Sequence, residues 1–177
     1  MKIILNKYKA KKLLQNQKNI GFVPTMGGLH KGHLSLINKA KEQCNITVVS
    51  IFVNRQQFNN KNDYKSYPRN IKNDISMLKR AKVDFLYIPK ENDIYKKKRL
   101  KKIKISPLGK KLCGKFRPGH FNAVVDVVDR FISIIKPNKI YFGEKDMQQL
   151  KIIQDFIYKN NINVNVIQCK TVREKNG

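Results

Sequence analysis

The run Ile46 to Val53 (ITVVSIFV) is the segment that most constrains the fold, because it is apolar and β-branched almost throughout. A strand of this kind must be covered on both faces, as the inner strands of parallel sheets are. The run is also far too short to cross a membrane. Shorter apolar runs predict four further strands: Ile20 to Pro24, Val83 to Ile88, Lys139 to Phe142 and Asn163 to Cys169.

Segments of helical period separate these strands. In Lys31 to Gln43 the apolar residues Leu34, Ile37 and Ala40 share one face. Three further helices are predicted: Asp63 to Lys82, Phe121 to Ile135 and Glu144 to Lys159. Alternating strands and helices predict βαβ units, and hence an α/β fold with a parallel sheet flanked by helices. No linker interrupts the pattern, so residues 1–177 are expected to form a single domain.

The charge balance is strongly basic, with 38 Lys and Arg against 12 Asp and Glu, a net charge of +26 at pH 7. Such a chain attracts polyanions at low salt, but the charge does not identify a partner. We favour solvated surface lysine over a nucleic-acid surface, including for the densest run, Lys96 to Lys104. The scattered cysteines Cys44, Cys113 and Cys169 predict reduced thiols, and the lack of a signal or membrane segment predicts a soluble cytosolic protein.

The loop after the strand Ile20 to Pro24 carries an HxGH motif, His30-Lys31-Gly32-His33. Glycines before and within the motif let the backbone turn tightly and approach a ligand. The two imidazoles, together with free backbone N–H groups and the helix dipole, can stabilise charge as an α-phosphorus is attacked. A histidine at a helix start is often only a cap, but the position after a strand and the flanking glycines favour a phosphate site. The chain has neither a Walker A motif nor a GxGxxG motif.

A second candidate segment, Gly143-Glu144-Lys145-Asp146, lies at another predicted strand-to-helix junction. Lys145 can place a positive charge on triphosphate oxygens, and Asp146 can accept hydrogen bonds from ribose hydroxyls. Acidic residues in a first helical turn are often only compatible with the helix dipole. The segment gains weight because the carboxyl ends of parallel strands share one edge of the sheet, where ligands bind.

Several motifs in register resemble the pantoate–β-alanine ligase family (pantothenate synthetases). They are VPTMGGLHKGH, SIFVNRQQF, YPRN, RPGHFNAVV, FGEKDMQQL and VREKNG. The resemblance implies a Rossmann-like domain of the HIGH-motif nucleotidyltransferase superfamily. It also implies a two-step reaction in the cytosol: Mg²⁺-ATP and pantoate give pantoyl adenylate and pyrophosphate, and the amine of β-alanine then displaces AMP. Members are commonly homodimers.

The resemblance also implies site residues. His33 is the proposed acid, with His30 and Lys145 as further catalytic residues. Gln57 and Gln149 correspond to pantoate-binding glutamines, with Asn54 nearby, and neutral amides can hold oxygens without acting as nucleophiles. Arg117 and His120 either close the pocket or are structural. The implied ATP-binding residues are Met26, Gly27, Gly28, Leu29, His30, Lys31, Gly32, His33, Gly143, Glu144, Lys145, Asp146 and Val172. No residue is assigned as a metal ligand.

The chain departs from the family pattern at three places. Arg55 stands where proline is usual, which frees the φ angle of a substrate loop, and Cys113 replaces an acidic residue. The chain stops at Gly177, before the family's serine-and-arginine loop and its C-terminal lid domain. Since these neutralise pyrophosphate and exclude water, we expect weak ATP binding and slow or absent turnover without them.

Two other functions remain open on the sequence. Another HIGH-motif nucleotidyltransferase would share the HxGH loop but would not need Gln57 and Gln149. A basic module that binds RNA or DNA and has lost catalysis would use Lys96 to Lys104, although most Phe and Tyr residues fall within apolar runs rather than in a pattern for base stacking.

Overall fold

A computed structural model describes residues 1–95, 103–174 and 176–177. In this part of the chain six strands form one sheet: β1 (Lys2–Ile4), β2 (Ile20–Thr25), β3 (Ile46–Ile51), β4 (Phe85–Tyr87), β5 (Lys139–Gly143) and β6 (Asn165–Cys169). Their order across the sheet is β1-β4-β3-β2-β5-β6, and every neighbouring pair is parallel. The predicted α/β fold with a Rossmann-like parallel sheet is confirmed.

The helices of the described residues connect and flank these strands. They are α1 (Lys7–Leu14), α2 (Lys31–Gln43), α3 (Lys61–Ser66), α4 (Ile71–Arg80), α5 (Glu91–Tyr95), α6 (Cys113–Phe116), α7 (His120–Ile135) and α8 (Met147–Lys159). Short 3₁₀ turns cover Arg55–Gln57, Pro107–Lys110 and Glu144–Asp146. None of the helices among the described residues has the length and apolar character needed to span a membrane.

Alternate residues of the inner strands pack into two cores, one on each face of the sheet. On β3, Val48 belongs to the core that includes α1, α7 and α8, whereas Val49 belongs to the core that includes α2 and α4. Both valines are 0% exposed. This two-sided burial is what the run Ile46 to Val53 predicts, and it explains why that strand shows no polar alternation.

The strand order places a topological switch point between β2 and β5. The chain proceeds from β2 through β3 to β4 on one side, and β5 and β6 are then added on the other side of β2. Loops that leave adjacent strands in opposite directions open a crevice at the carboxyl edge of the sheet. The loop after β2 carries His30, and the turn after β5 carries Lys145, so the fold brings both candidate segments to this crevice.

One predicted helix, Asp63 to Lys82, is wrong as a continuous element. It is two helices, α3 and α4, with a break at residues 67–70. Pro68 causes the break, because the residue before a proline is driven out of the helical region, and Tyr67 has φ −58° and ψ 130°. Asn70 then caps α4 by accepting from the amide of Asn73 at 3.2 Å.

The N-terminal elements were not predicted. The start of the chain forms β1 and α1, and β1 pairs with β4 through only three residues, Lys2 with Phe85 to Ile4 with Tyr87. The strand before the HxGH loop is therefore the second strand of the chain and not the first. The other predicted strands and helices are confirmed within two residues at each end, except that α8 begins three residues after the predicted Glu144; α2 has the predicted bounds.

The predictions for the basic run and the cysteines differ in outcome. Residues 96–102 of the run Lys96 to Lys104 lie outside the described residues, so its interpretation as solvated lysine stays a prediction. The three cysteines are free thiols, with Cys44 and Cys169 buried and Cys113 exposed.

Candidate functional site

A cavity of about 350 Å³ lies at the switch point, against the ends of β2 and β5. Its polar lining comes from His30, His33, Asn54, Gln57, Lys145, Asp146 and Gln149, with Thr25 and Tyr67. Its apolar lining comes from Pro24, Met26, Phe52, Val124, Val127, Val128, Phe131 and Phe142. The structure thus brings the two imidazoles and the cation of Lys145 together at one crevice.

Backbone amides fix the tautomers of the two histidines. His30 is the N-cap of α2, and its Nδ1 accepts from the amide of Gly32 at 3.1 Å. The Nδ1 of His33 accepts from the amide of His30 at 3.4 Å, and the ring centroids are 4.1 Å apart. Because an amide N–H can only donate, each neutral ring carries its proton on Nε2. Each imidazole can therefore offer an Nε2–H to a ligand oxygen.

His33 is a neutral donor in the ligand-free protein. Burial, aided by the nearby ring of His30, lowers the pKa of its imidazole to about 4 and outweighs the opposing effect of Asp74. At neutral pH this ring is therefore a neutral hydrogen-bond donor and not a cation. A negative ligand placed against the ring would favour its protonated form.

The backbone amides of Gly27, Gly28 and Leu29 donate to side chains of the protein, whereas the sequence predicts that such amides are free for a phosphate. The amide of Gly27 donates to Thr25 Oγ1 at 3.2 Å, and the amides of Gly28 and Leu29 donate to Asp74 at 3.0 and 2.8 Å. The expectation that free backbone N–H groups of this loop meet a phosphate is therefore wrong for these three residues. The side chains of His30 and His33 supply two N–H donors to the cavity.

Asp74 is a site residue that the sequence analysis missed. It lies in the first turn of α4, is 1% exposed, and uses both carboxylate oxygens to hold the loop. Gly27 and Gly28 have φ values of +84° and +63°, and a Cβ on Gly27 would lie 3.0 Å from Asp74 Oδ2. The glycines thus permit both the left-handed turn and the close approach of the carboxylate.

Lys145 and Asp146 form the opposite wall of the cavity. Their side chains pair at 2.9 Å and are largely exposed, so this ion pair can open to a ligand at little cost. Glu144 faces elsewhere and accepts from Gln168 at 2.8 Å. Val172, 46% exposed, lines a separate cleft with Glu144 and Lys145. The structure therefore brings Val172 next to Lys145 but not into the main cavity.

The other predicted nucleotide residues differ in their surroundings. Leu29 is buried in the core that includes Val23, on the other side of the sheet from the apolar lining. Lys31 is exposed at the start of α2. Gly32 packs against its neighbour, since a Cβ there would lie 2.9 Å from His30 Cε1. Gly143 is the last residue of β5, and a Cβ there would meet no atom within 4 Å.

The three amide residues predicted to bind the acid all line the cavity. Asn54 is 1% exposed, and its Nδ2 donates to Gln57 Oε1 at 3.2 Å. Gln57 Nε2 lies 2.9 Å from the sulfur of Met26, a weak acceptor that a ligand oxygen can replace. Gln149 lies near the start of α8.

A second cavity, of about 390 Å³, shares Met26, Gln57, Tyr67, Lys145, Asp146 and Gln149 with the first. Its other polar side chains include Arg117 and His120. His120 Nδ1 lies 2.8 Å from the carbonyl oxygen of Gln57, so it carries the proton and donates, and burial lowers the pKa of this imidazole. The Nε2 of a neutral His120 is then an acceptor.

Metal-ligating side chains do not gather in the described part of the chain. Within residues 1–95, 103–174 and 176–177, no cluster of three or more histidine, cysteine or acidic side chains could hold a metal ion. The carboxylate in the main cavity lining is that of Asp146.

Comparison with known proteins identifies the family. The family model described as pantoate-beta-alanine ligase matches residues 2–177. The chain belongs to this family. Among curated members, a pantothenate synthetase of Pseudothermotoga lettingae is 46% identical over the whole of this chain, and one of Francisella tularensis subsp. novicida is 47% identical over 93% of it.

Solved structures of family members agree with the fold. Pantothenate synthetase from Thermus thermophilus matches all of this chain with a TM-score of 0.95 and 36% identity. Pantoate-beta-alanine ligase from Francisella tularensis, complexed with beta-gamma ATP and beta-alanine, matches 99% of it with a TM-score of 0.94 and 43% identity. This chain spans 64% of the Thermus chain, 69% of the Francisella chain, and 64% and 63% of the two curated members.

Asp74→Asn tests the attachment of the loop. The substitution places an amide NH₂ where one carboxylate oxygen accepted, leaving a loop amide unpaired at a cost of about 1–3 kcal/mol. We expect a lower free energy of urea unfolding and weaker ATP binding by calorimetry. Asp63→Asn, an exposed acid in the first turn of α3, is the matched control. Equal free energies of unfolding and equal ATP affinities in the two variants would contradict the role of Asp74 in holding the loop.

The protonation of His33 can be followed by NMR. We expect its ring to stay neutral until the pH approaches about 4, because burial disfavours the cation. The unfolded chain binds this proton near pH 6.5, so His33 reduces stability as the pH falls from about 6.5 to about 4. The NMR signal of the His33 ring is identified by its absence in His33→Gln. In urea unfolding this variant should lose less stability than the wild type as the pH falls from about 6.5 to about 4. Titration of the His33 ring near pH 6.5 would refute the prediction.

Proposed function

We propose that this chain forms the nucleotide-binding part of a ligase that condenses pantoate with β-alanine, using ATP through a pantoyl-adenylate intermediate. The observation that supports this most is the composition of one cavity. It combines two Nε2–H donors and a cation with three neutral amides and an apolar wall. These are the groups needed by a triphosphate and by a hydroxylated, methyl-bearing acid.

In the first step a carboxylate oxygen of pantoate attacks the α-phosphorus. A new oxygen–phosphorus bond forms as the bond to pyrophosphate breaks, so negative charge moves onto the leaving phosphates. His30, His33 and Lys145 would face that charge, and donors aimed at charge that develops in a transition state accelerate the reaction. Asp146 would accept from ribose hydroxyls, and Val172 would lie on the adenine side.

Mg²⁺ would arrive with ATP. This ion prefers oxygen ligands, keeps several waters, and is commonly held by substrate phosphates together with one or two carboxylates. No step of the proposal depends on a metal site built by the protein.

The acid would bind between the amides and the apolar wall. Gln57 and Gln149 would hold its hydroxyl and carboxylate oxygens, with Asn54 behind Gln57. The two methyl groups of pantoate would contact the wall that Val124, Val127 and Phe131 help to form. Each CH₂-sized group removed from water there contributes about 0.8 kcal/mol.

In the second step the amine of β-alanine attacks the acyl carbon, a carbon–nitrogen bond forms, and the bond to AMP breaks. The second cavity would admit this amine, because it adjoins the first along Gln57 and Gln149. Arg117 would attract the β-alanine carboxylate, and the Nε2 of neutral His120 would accept a proton from the amine. The beta-alanine named with the Francisella enzyme supports an amine substrate. The cytosolic location and the homodimer implied by the family resemblance remain part of the proposal.

The same cavity favours the ligase over another nucleotidyltransferase with an HxGH loop. Such an enzyme would not need both glutamines beside the histidines. We expect Gln57→Ala and Gln149→Ala each to weaken pantoate binding by about tenfold or more, since hydrogen bonds to a charged group contribute roughly 1.5–3 kcal/mol. ATP binding should change little.

Calorimetry with pantoate and with ATP measures both effects. Gln154→Ala is the matched control, because Gln154 lies on α8, as Gln149 does, but lines a different cavity. Pantoate affinity that is unchanged in both site variants would favour the other nucleotidyltransferase.

Residues 1–177 span 64% of the length of the Pseudothermotoga member, so the contribution of the remaining length to catalysis can be measured. For a polypeptide of these residues alone we expect ATP binding but slow or no pantoate-dependent release of pyrophosphate, because the family resemblance implies a serine-and-arginine loop and a lid domain that neutralise the leaving group and exclude water. The measurement compares this chain with one extended at its C-terminus by the corresponding segment of a close family member. Equal rates would mean that the additional segment is dispensable here.

A further inference from the structure

Two backbone groups determine the orientation of the Asn54 side-chain amide. The amide N–H of Gln56, which can only donate, lies 3.3 Å from Oδ1. The carbonyl oxygen of Ala123, which can only accept, lies 3.4 Å from Nδ2. Reversing the amide would break both contacts, so the oxygen and nitrogen positions follow from the backbone itself.

Tyr95 strengthens this orientation from outside the cavity. Its hydroxyl donates to Asn54 Oδ1 at 3.0 Å. Its ring is held by the guanidinium of Arg130 at 4.8 Å and by the ring of Phe52 at 6.4 Å. Burial raises the pKa of Tyr95, so the hydroxyl keeps its proton at every physiological pH. Tyr95 lies behind Asn54 and is not part of the cavity lining.

The orientation of the Asn54 amide in turn determines that of the Gln57 amide. Asn54 Nδ2 donates to Gln57 Oε1 at 3.2 Å, which turns Gln57 Nε2 away from Asn54. That nitrogen lies 2.9 Å from Met26 Sδ, on the cavity side. The contact with sulfur is weak, and Nε2 carries a second hydrogen.

We propose that Tyr95 is a positioning residue, which acts through Asn54 to make Gln57 present its N–H group, and not its carbonyl oxygen, to the acid substrate. This inference rests on the proposed function and deepens it. A carboxylate can only accept hydrogen bonds, so a reversed Gln57 would place one acceptor against another. The hydrogen bonds from Tyr95 to Asn54 and from Asn54 to Gln57, here called the relay, therefore select for an oxygen acceptor next to Gln57 Nε2.

Tyr95→Phe tests the relay, because it keeps the ring and removes only the hydroxyl. We expect pantoate binding to weaken about threefold to tenfold, the effect of losing one net hydrogen bond, and ATP affinity to stay within about twofold. Tyr141→Phe is the matched control. It also loses a buried hydroxyl bond, to Gln43 at 3.2 Å, but Tyr141 does not line the cavity. Equal pantoate affinity in Tyr95→Phe and the wild type would overturn the proposal.

A double-mutant cycle separates positioning from a general structural role. If Tyr95 acts through Gln57, Tyr95→Phe should have no further effect on pantoate affinity in a Gln57→Ala background. An equal loss in both backgrounds would mean that Tyr95 acts elsewhere, and would overturn the relay.

A ligand-free measurement keeps this inference distinct from the proposed function. The side-chain NH₂ signals of Gln57, assigned in ¹⁵N spectra by their absence in Gln57→Ala, should shift in Tyr95→Phe and not in Tyr141→Phe. If the Gln57 signals shift in Tyr95→Phe but the wild-type chain does not bind pantoate, the relay stands and its assigned substrate is overturned. If the signals do not shift in Tyr95→Phe and the wild-type chain does bind pantoate, the relay is overturned and the proposed function stands.

Discussion

The hydrogen bonds from Asp74 to the amides of Gly28 and Leu29 are the interaction on which the site depends. A buried carboxylate is costly unless donors compensate it, and here two amides fixed in a left-handed turn do so. The same contacts hold the loop where His30 can cap α2 and where His33 can accept from the amide of His30. The position of both imidazoles therefore follows from one side chain on a different helix.

The sequence predicted the parts of the fold whose signals are local. Ile46 to Val53 is apolar almost throughout because both faces of β3 are buried, and α2 shows its helical period because one side packs on the sheet. β1 escaped prediction because three residues carry too little periodicity, and the strand exists through its pairing with β4. The interruption between α3 and α4 was predictable in principle, since Pro68 stands inside the predicted helix.

The candidate site, like the fold, contains residues that could be predicted from the sequence and residues that could not. The histidines and Lys145 could be named from the sequence because each follows a strand, and parallel strands bring their carboxyl ends to one edge. Gln57 and Gln149 were named through the family resemblance. Asp74 lies 46 residues from Gly28, and Tyr95 lies 41 residues from Asn54. Hydrogen bonds between such distant residues leave no periodic trace, and an acid in a first helical turn resembles any other. The residues that hold the site together were therefore less predictable than those that face the ligand.

The electrostatics of the cavity contrast with those of the chain as a whole. A net charge of +26 would favour any anion, including ATP in its ground state, and uniform attraction lowers the free energy of substrate and transition state alike. His33, by contrast, is kept neutral by burial and by the neighbouring ring of His30. A neutral donor gains strength as negative charge grows on the oxygen it faces, so its contribution is greater in the transition state than in the bound substrate. On the proposed function, discrimination between the two states therefore comes from the desolvated imidazole of His33 more than from the many lysines.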